Sequence, residues 1–584
     1  MADSAVSPFF LPEPFEAWFA GRGWKARPHQ LALAEQSLKG ESALLIAPTG
    51  GGKTLAGFLG SLIELSERKR AANSDRPALH TLYISPLKAL AADVQRNLMG
   101  PVEEMGLNIK IESRTGDTPS HVRQRQRRTP PDILLTTPEQ LALFIASDHA
   151  REFFADLKCV IVDEIHAMAA SKRGDLLALG LATLASWAPA CRFLGLSATV
   201  REPQALADWL DVRPPGHDVR ILTAEGGVSA DVDILISQQR IPWSGHSGRF
   251  AVPDVYDAIK RATMTLIFVN TRSQAELMFQ ELWRANEDGL PIALHHGSLA
   301  REQRTKVEAA MAAGLLKAVV CTSTLDLGID WGEVDLVIQM GAPKGAARLI
   351  QRIGRANHRM DEASRAVLVP TNRFEVLECR AAEAAVEAGE IDGEGIREGA
   401  LDILAQHVIG RACGDGFQLE ELYDEIIRAA PYQNLDWETY ERIVDFVASG
   451  GYALKTYDRF HRIVRRRDGV WVARTARDAQ AHRMNVGAIV ESPMLSVRLA
   501  NFIGKEKPGE KRAVRAGLKL GEMEEYFLST LTPGDTFLFA GEVLRLVGVD
   551  GMDALVVRAV SEQPAIPSYN GGKFPLTTFL AERV

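Results

Sequence analysis

The chain has 584 residues, 46% hydrophobic and 24% charged, the composition of a globular protein of about three to five domains. Its net charge of −8 lends no support to nucleic-acid binding through bulk positive charge, although a local basic groove can sit on an acidic body. Five scattered cysteines, Cys159, Cys191, Cys321, Cys379 and Cys413, form no C-x-x-C pair, which excludes a disulfide framework and a cysteine zinc site and suits a reducing cytoplasm.

In chain order, residues 1–15 lack a basic region and a sustained apolar core, so no signal peptide is expected. An aromatic cluster follows (Phe15, Trp18, Phe19, Trp24), then a helix opening at Pro28. Gln30 in that helix has two readings, a reader of an adenine edge or a residue that merely caps the helix.

Residues 42–54, SALLIAPTGGGKT, are the stretch to which the rest is referred. An apolar strand runs into Pro48, Thr49, Gly50, Gly51 and Gly52, and Lys53 and Thr54 open a helix. Strand, glycine loop and helix in that order build a phosphate cradle, because backbone N–H groups and the helix N-terminus converge on an oxyanion. Lys53 reaches the β- and γ-phosphates and Thr54 can ligate Mg²⁺. Ala47 stands where the first glycine of the usual pattern belongs.

Further buried-strand runs end in polar or glycine tips: 79–85 before Pro86 and Lys88, 107–112 before Thr115 and Gly116, and 132–136 before Thr137 and Pro138. The alternation of strand, tip and helix predicts a parallel sheet covered by helices, with its functional groups at the carboxyl ends of the strands. Residues 158–166, KCVIVDEIH, place Asp163 and Glu164 at such an end. Downstream of a phosphate loop, that pair suits Mg²⁺–nucleotide hydrolysis, Asp163 holding the metal and Glu164 polarising the attacking water. The longest apolar run, 176–188, is too short to span a bilayer and reads as a buried helix. Ser197 and Thr199, in a strand end at 193–199, are placed to hydrogen-bond His166.

Residues 211–250 read as a connection with one strand, 232–237. A second α/β unit has strands at 265–270, 292–296, 317–322 and 336–340 and no phosphate loop of its own, so it completes a site rather than owning one. Within residues 351–356, QRIGRA, Arg352 and Arg355 are three apart on one helical face and could approach a γ-phosphate; the bland alternative is a solvated basic face.

Taken together, Gln30, APTGGGKT (47–54), SPLKAL (85–90), TGD (115–117), TTPE (136–139), DEIH (163–166), SAT (197–199), IFVNTR (267–272), HHGS (295–298), TSTLDLGID (322–330) and QRIGRA (351–356) resemble the superfamily 2 helicases, in order and across residues 25–360. The resemblance implies that Gln30, Pro48, Thr49, Gly50, Gly51, Gly52, Lys53, Thr54, Gly328 and Asp330 bind ATP, and that Thr54 and Asp163 hold Mg²⁺. Lys53, Asp163, Glu164 and His166 would serve hydrolysis, with Arg352 and Arg355 as arginine fingers. Pro86, Lys88, Thr115, Gly116, Thr137, Pro138, Asn270, Thr271, Arg272, His296, Gly297, Thr322 and Ser323 would track a nucleic-acid backbone. His166 makes the box DExH rather than DEAD.

Residues 163–182 and 351–359 are similar to the large helicase-related family, and the C-terminal part to its bacterial branch of ligase-associated DNA-repair helicases. That branch implies 3′-to-5′ translocation on single-stranded DNA, unwinding of DNA or RNA–DNA duplexes, and a DNA ligase and a metallo-β-lactamase-like nuclease as companions. Two alternatives stay open: an ATP-gated nucleic-acid clamp without translocation, and a local RNA unwinder.

In the last third, 397–413, 419–430 and 436–449 read as helices, and 462–464 and 470–473 as a hairpin turning at Asp468-Gly469. Three helices and a hairpin suggest a winged helix, with Arg459, Arg462 and Arg465 to Arg467 on or near the wing beside Tyr457 and Trp471. From 485 onward the pattern is strand-like, resembling the start of the family's barrel-like module, which is expected to be truncated at Val584. The expected fold is therefore α/β: RecA-like domains at 1–215 and 216–385, a winged helix at 386–475, and a β-rich module at 476–584.

Overall fold

The computed structural model describes residues 9–584 except 49, 72–76, 215–216, 225–229, 238, 246, 327–333, 357–363, 391, 393–394, 489–492, 504–512, 562 and 570–575. The chain divides into two compact units, each built from two separate stretches: Met1–Gly226 with Gly393–Ile489, and Gly227–Asp392 with Val490–Val584.

The first unit holds a seven-stranded parallel sheet of β1 (Ala43–Ile46), β2 (Thr81–Ile84), β3 (Ile111–Ser113), β4 (Ile133–Thr136), β5 (Cys159–Val162), β6 (Arg192–Ser197) and β7 (Arg220–Thr223). Their order is β3-β4-β2-β5-β6-β1-β7. Strands β1, β2, β4, β5 and β6 are buried at every position, as near-continuous apolar runs in a sheet covered on both faces must be. Parallel pairing brings the ends of β1, β5 and β6 together, with Ile46 beside Ser197 and Val162 beside Gly195.

The three helices expected after residue 397 are Leu401–Cys413, Leu419–Ile426 and Trp437–Ser449. The Asp436 carboxylate accepts from Thr439 N at 2.8 Å and Gly450 ends the third helix at φ 79°. The expected hairpin is present and belongs to this unit. This winged helix shares one apolar core with the sheet: Leu404, Val408, Leu422 and Ile426 pack with Leu177, Leu181 and Leu184, all fully or nearly fully buried. A further helix, Ala476–Met484, was not evident in the sequence and belongs to this unit.

The second unit's sheet comprises β8 (Asp231–Ile234), β9 (Thr265–Val269), β10 (Ile292–His295), β11 (Ala318–Cys321), β12 (Leu336–Met340) and β13 (Arg365–Val369). It is parallel throughout, in the order β10-β11-β9-β12-β13-β8. In the first unit, β14 (Ile463–Arg465) and β15 (Trp471–Ala473) form the antiparallel wing hairpin. Back in the second unit, β16 (Met494–Ile503), β17 (Ala513–Glu524), β18 (Thr536–Phe539), β19 (Glu542–Asp550) and β20 (Asp553–Arg558) form a mixed sheet in the order β17-β16-β20-β19-β18. The β18–β19 turn, Ala540-Gly541, has positive φ at both residues (56° and 75°), the geometry of a tight two-residue hairpin.

Candidate active site

The phosphate loop leaves the end of β1. Ala47 is buried, its N–H bonded to Ser197 O at 3.1 Å, and its backbone is not left-handed, so no glycine is required there. The left-handed positions are Gly50 (φ 76°) and Gly52 (φ 72°), where a Cβ on Gly52 would stand 2.6 Å from the Gln30 amide nitrogen. Gln30 accepts from Arg27 N at 2.9 Å and donates to Gly52 O at 3.3 Å. His29 donates to Gly51 O at 2.7 Å and Arg27 to Gly50 O at 3.1 Å, so the helix Pro28–Leu38 grips the loop at three consecutive glycines. The Lys53 ammonium donates to Ala47 O at 2.9 Å and lies over the loop. Thr49 lies outside the described residues.

Asp163 and Glu164 follow β5 and are almost fully buried. Tyr83, from the neighbouring β2, donates its hydroxyl to Asp163 Oδ2 at 2.5 Å, and Glu164 N donates to Asp163 Oδ1 at 2.9 Å. Burial, and then the Glu164 charge, push the Asp163 carboxyl up to about 6, while Tyr83 and the Lys53 ammonium pull it back.

Glu164 sits at φ 48°, a left-handed backbone that a non-glycine residue adopts only when its surroundings enforce it. His166 Nε2 lies 3.4 Å from Glu164 Oε2, and Nδ1 accepts from Ala198 N at 3.3 Å and lies 3.1 Å from Ser197 Oγ. Burial lowers the His166 pKa, so the ring is neutral and its Nε2–H is the proton facing Glu164. Among the described residues no hydrogen bond joins Thr199 to His166. Thr54 and Asp163 offer hard oxygen donors only, the donor set that suits Mg²⁺.

In the first unit Lys88 donates to Asp117 at 3.3 Å, and a Cβ on Gly116 would lie 2.9 Å from the Lys88 ammonium, so the loops at 85–90 and 115–117 meet. Pro86, Thr137 and Pro138 are buried, Lys88 exposed and Thr115 half-buried.

In the second unit several expected backbone-tracking side chains are engaged elsewhere. Asn270 donates to Ala342 O, and Thr271 caps the helix Arg272–Ala285. His296 is fully buried at 3.0 Å from Glu276, whose carboxylate also accepts from Ala540 N at 2.7 Å and Gly541 N at 2.9 Å. The 297–300 loop is pinned by β17: Glu522 N donates to Ser298 O at 2.8 Å and Ala300 N to Leu520 O at 2.9 Å. Gly297 and Ser323 are exposed, Arg272 half-buried with a bond to Ser298 Oγ at 3.1 Å, and Thr322 buried. His296 therefore cannot touch a strand with its ring; it fixes the loop that carries Gly297.

Arg352 and Arg355 do not share a helix. The helix Ala346–Ile353 ends before Arg355, which lies in the following turn with Nε bonded to Gln351 O at 3.3 Å. Arg352 is buried, bonded to Asp326 at 2.8 and 3.3 Å and to Gln339. Gly328 and Asp330 fall outside the described residues.

On the winged helix, Arg462 is paired with Asp478 at 2.9 Å, Arg465 donates to Gly469 O at 3.4 Å, and Arg459 lies over the Phe460 ring at 4.8 Å. Arg466, Arg467 and Tyr457 are exposed. Trp471, expected at a nucleic-acid surface, instead packs against the shared apolar core.

Three family models match the chain: the DEAD/DEAH box helicase over residues 27–206, the helicase conserved C-terminal domain over 251–360, and the large helicase-related protein winged helix domain over 384–566. The ATP-dependent helicase Lhr-Core of Sulfolobus acidocaldarius is 32% identical over 98% of this chain and 65% of that relative. The Lhr helicase/probable uracil glycosylase of Mycolicibacterium smegmatis is 33% identical over 95% of this chain and 39% of its own length. A solved structure of Mycobacterium smegmatis helicase Lhr bound to ssDNA and AMP-PNP matches with a TM-score of 0.74 and 34% identity, over 83% of this chain and 63% of that one. The DUF1998 helicase MrfA bound to DNA shares the fold at 21% identity and a TM-score of 0.70, over 96% of this chain and 74% of that one. The chain thus spans just under two thirds of the archaeal relative's length and well under half of the mycobacterial one. With two RecA-like parallel-sheet domains, a winged helix and a mixed β-sheet module in the family's order, the chain belongs to the large helicase-related family of superfamily 2 DExH-box helicases.

Proposed function

We propose that this chain is an ATP-driven motor that translocates on single-stranded DNA and opens DNA or RNA–DNA duplexes. The observation that carries the reading is the buried Asp163-Glu164 pair at the end of β5, close enough to the phosphate-loop lysine for Lys53 to lower the Asp163 pKa. Lys53 binds the β- and γ-phosphates, and backbone N–H groups of 50–54 orient them. Thr54 and Asp163 would hold Mg²⁺, which supplies charge neutralisation at the phosphates when bound. Glu164 orients the attacking water and takes its proton at a carboxylate oxygen, with the neutral His166 ring 3.4 Å from that carboxylate.

Arg352, bonded to Asp326 and Gln339, and Arg355, whose Nε donates to Gln351 O, both remain candidate fingers. Gln30 caps its helix by accepting from Arg27 N, and its amide also donates to Gly52 O; reading an adenine edge is proposed beside that capping role. Gly328 and Asp330 keep their proposed place beside the nucleotide. Lys88, Thr115, Gly116, Gly297, Ser323 and Arg272, with Arg466 and Arg467 of the wing, supply the nucleic-acid surface.

The relative solved with ssDNA and AMP-PNP supports single-stranded DNA and ATP as ligands here. Resemblance to the ligase-associated branch supports 3′-to-5′ movement, a cytoplasmic DNA-repair setting, and a DNA ligase and a metallo-β-lactamase-like nuclease as companions. Glu164→Gln is expected to keep ATP binding and abolish turnover, read by nucleotide binding and phosphate release. Normal turnover in that variant sinks the assignment of the base.

A further inference from the structure

Residues 171–175, Ser-Lys-Arg-Gly-Asp, follow the acid box and take no part in the reading above. They open the helix Lys172–Trp187, with Ser171 Oγ accepting from Gly174 N at 3.2 Å and donating to Met168 O at 2.7 Å. A Cβ on Gly174 would stand 2.2 Å from the Met168 carbonyl oxygen, a clash with backbone that no side-chain movement relieves. The turn is therefore seated backbone to backbone on the short helix Ile165–Met168, which begins directly after Glu164.

The other side of the same turn carries Arg173. Its guanidinium forks onto the Glu139 carboxylate, Nε to Oε1 at 2.6 Å and Nη2 to Oε2 at 3.1 Å, and Nη2 also donates to Pro86 O at 2.8 Å. Pro86 lies in the connection from β2 to the helix Lys88–Glu104, and Glu139 in the first turn of the helix Pro138–Ile145 that follows β4, so the two segments 85–90 and 136–139 that Arg173 joins also carry Lys88, Thr137 and Pro138. Burial pushes the Glu139 carboxyl up, and the Arg173 guanidinium more than reverses it, so Glu139 is ionised whenever the fork is made. One turn thus meets, at Gly174, the end of the short helix that follows the acid box, and, at Arg173, both of those segments.

We propose that Arg173 is a positioning residue for the nucleic-acid track, setting the spacing of the 85–90 and 136–139 loops and passing the movement of the acid box to them. The proposal rests on the reading of this site as a nucleic-acid-dependent ATPase. A fork that only stabilises the fold predicts something different: removing it would lower melting temperature, turnover and activation together. A lysine keeps the charge and loses the planar fork, so it separates geometry from electrostatics.

The test is ATP hydrolysis by the full chain titrated with a single-stranded oligodeoxythymidylate, for wild type, Arg173→Ala and Arg173→Lys, with melting temperatures in parallel. Arg173→Ala is expected to keep the DNA-free rate and the KM for ATP within about twofold while the DNA concentration for half-activation rises about tenfold or more, the size of one charge-assisted fork. Arg173→Lys falls between. Activation midpoints that do not move in either variant overturn the proposal, as does a parallel fall of rate, KM and stability. If Arg173→Ala does not fold, Arg173→Lys alone decides by the same midpoint. Wild type that no single strand activates overturns the functional reading and this proposal with it, whereas an activated wild type with unmoved variants overturns this proposal alone.

Discussion

At the scale of single residues, the site depends on groups that hold other groups. Tyr83 is fully buried and donates to Asp163 Oδ2, which keeps that carboxylate aimed and opposes the effect of its burial. Tyr83→Phe is expected to cost about 1.5 kcal/mol of that orientation, the worth of a hydrogen bond to a charged group, and so roughly tenfold in kcat with ATP affinity little changed. Steady-state hydrolysis beside equilibrium nucleotide binding checks it. The candidate acids Asp163 and Glu164 were legible from type and position: an apolar strand, two acids, and a phosphate loop upstream. Tyr83 was not, because its partner lies 80 residues away and nothing local marks it. Ala47 shows the converse, since the departure from the glycine pattern is harmless once its backbone is known not to be left-handed. Arg352 and Arg355 were legible as arginines near a helix end, but their spacing could not show that the helix stops between them.

At the scale of elements, buried parallel strands were the most legible part of the fold, because burial on both faces forces an uninterrupted apolar run. The strand β17, at 12 residues the longest among the described residues, was not singled out: its text, AVRAGLKLGEME, carries charges and glycines in place of a clean alternation. The edge strands β7 and β8, whose side chains are only partly buried, gave weaker or shifted signals. The hairpin turn Ala540-Gly541 depends on Glu276, which takes both of its N–H groups and His296 on a fully buried carboxylate. Glu276→Ala leaves those three donors without a partner, and at about 1 kcal/mol each the second unit is expected to lose ~3 kcal/mol. Denaturant unfolding measures it, and a loss within experimental scatter contradicts the assignment.

The helix Leu401–Cys413 carries a pH signature. Burial, then the Arg411 and His482 charges, hold His407 down at about 3, with Glu425 at 3.9 Å. The unfolded ring binds its proton near pH 6.5 and the folded one does not, so stability is intact above about 6.5 and falls as the pH drops toward 3. Between pH 7 and 5 the first unit should lose ~2 kcal/mol on account of this ring, and His407→Leu should flatten that slope. Melting curves across that range decide it.

At the scale of the whole molecule, a sequential list of four domains became two units, each made of distant stretches. The winged helix shares a core with the first sheet, and the β-rich module grips the second through Glu276 and β17. Sequence pattern reports which face of an element is apolar but not which distant element covers it, so this pairing was out of reach. Each RecA-like sheet therefore carries its own accessory module.

The central claim is that ATP hydrolysis by this chain drives movement along single-stranded DNA. The most direct measurement is ATP-dependent displacement of a strand annealed to DNA bearing a 3′ or a 5′ single-stranded tail, with hydrolysis followed in the same reactions. Displacement from the 3′-tailed duplex is expected for wild type and not for Glu164→Gln, with hydrolysis stimulated by single-stranded DNA. DNA-stimulated hydrolysis with no displacement from either tail would contradict it and leave a clamp in place of a motor.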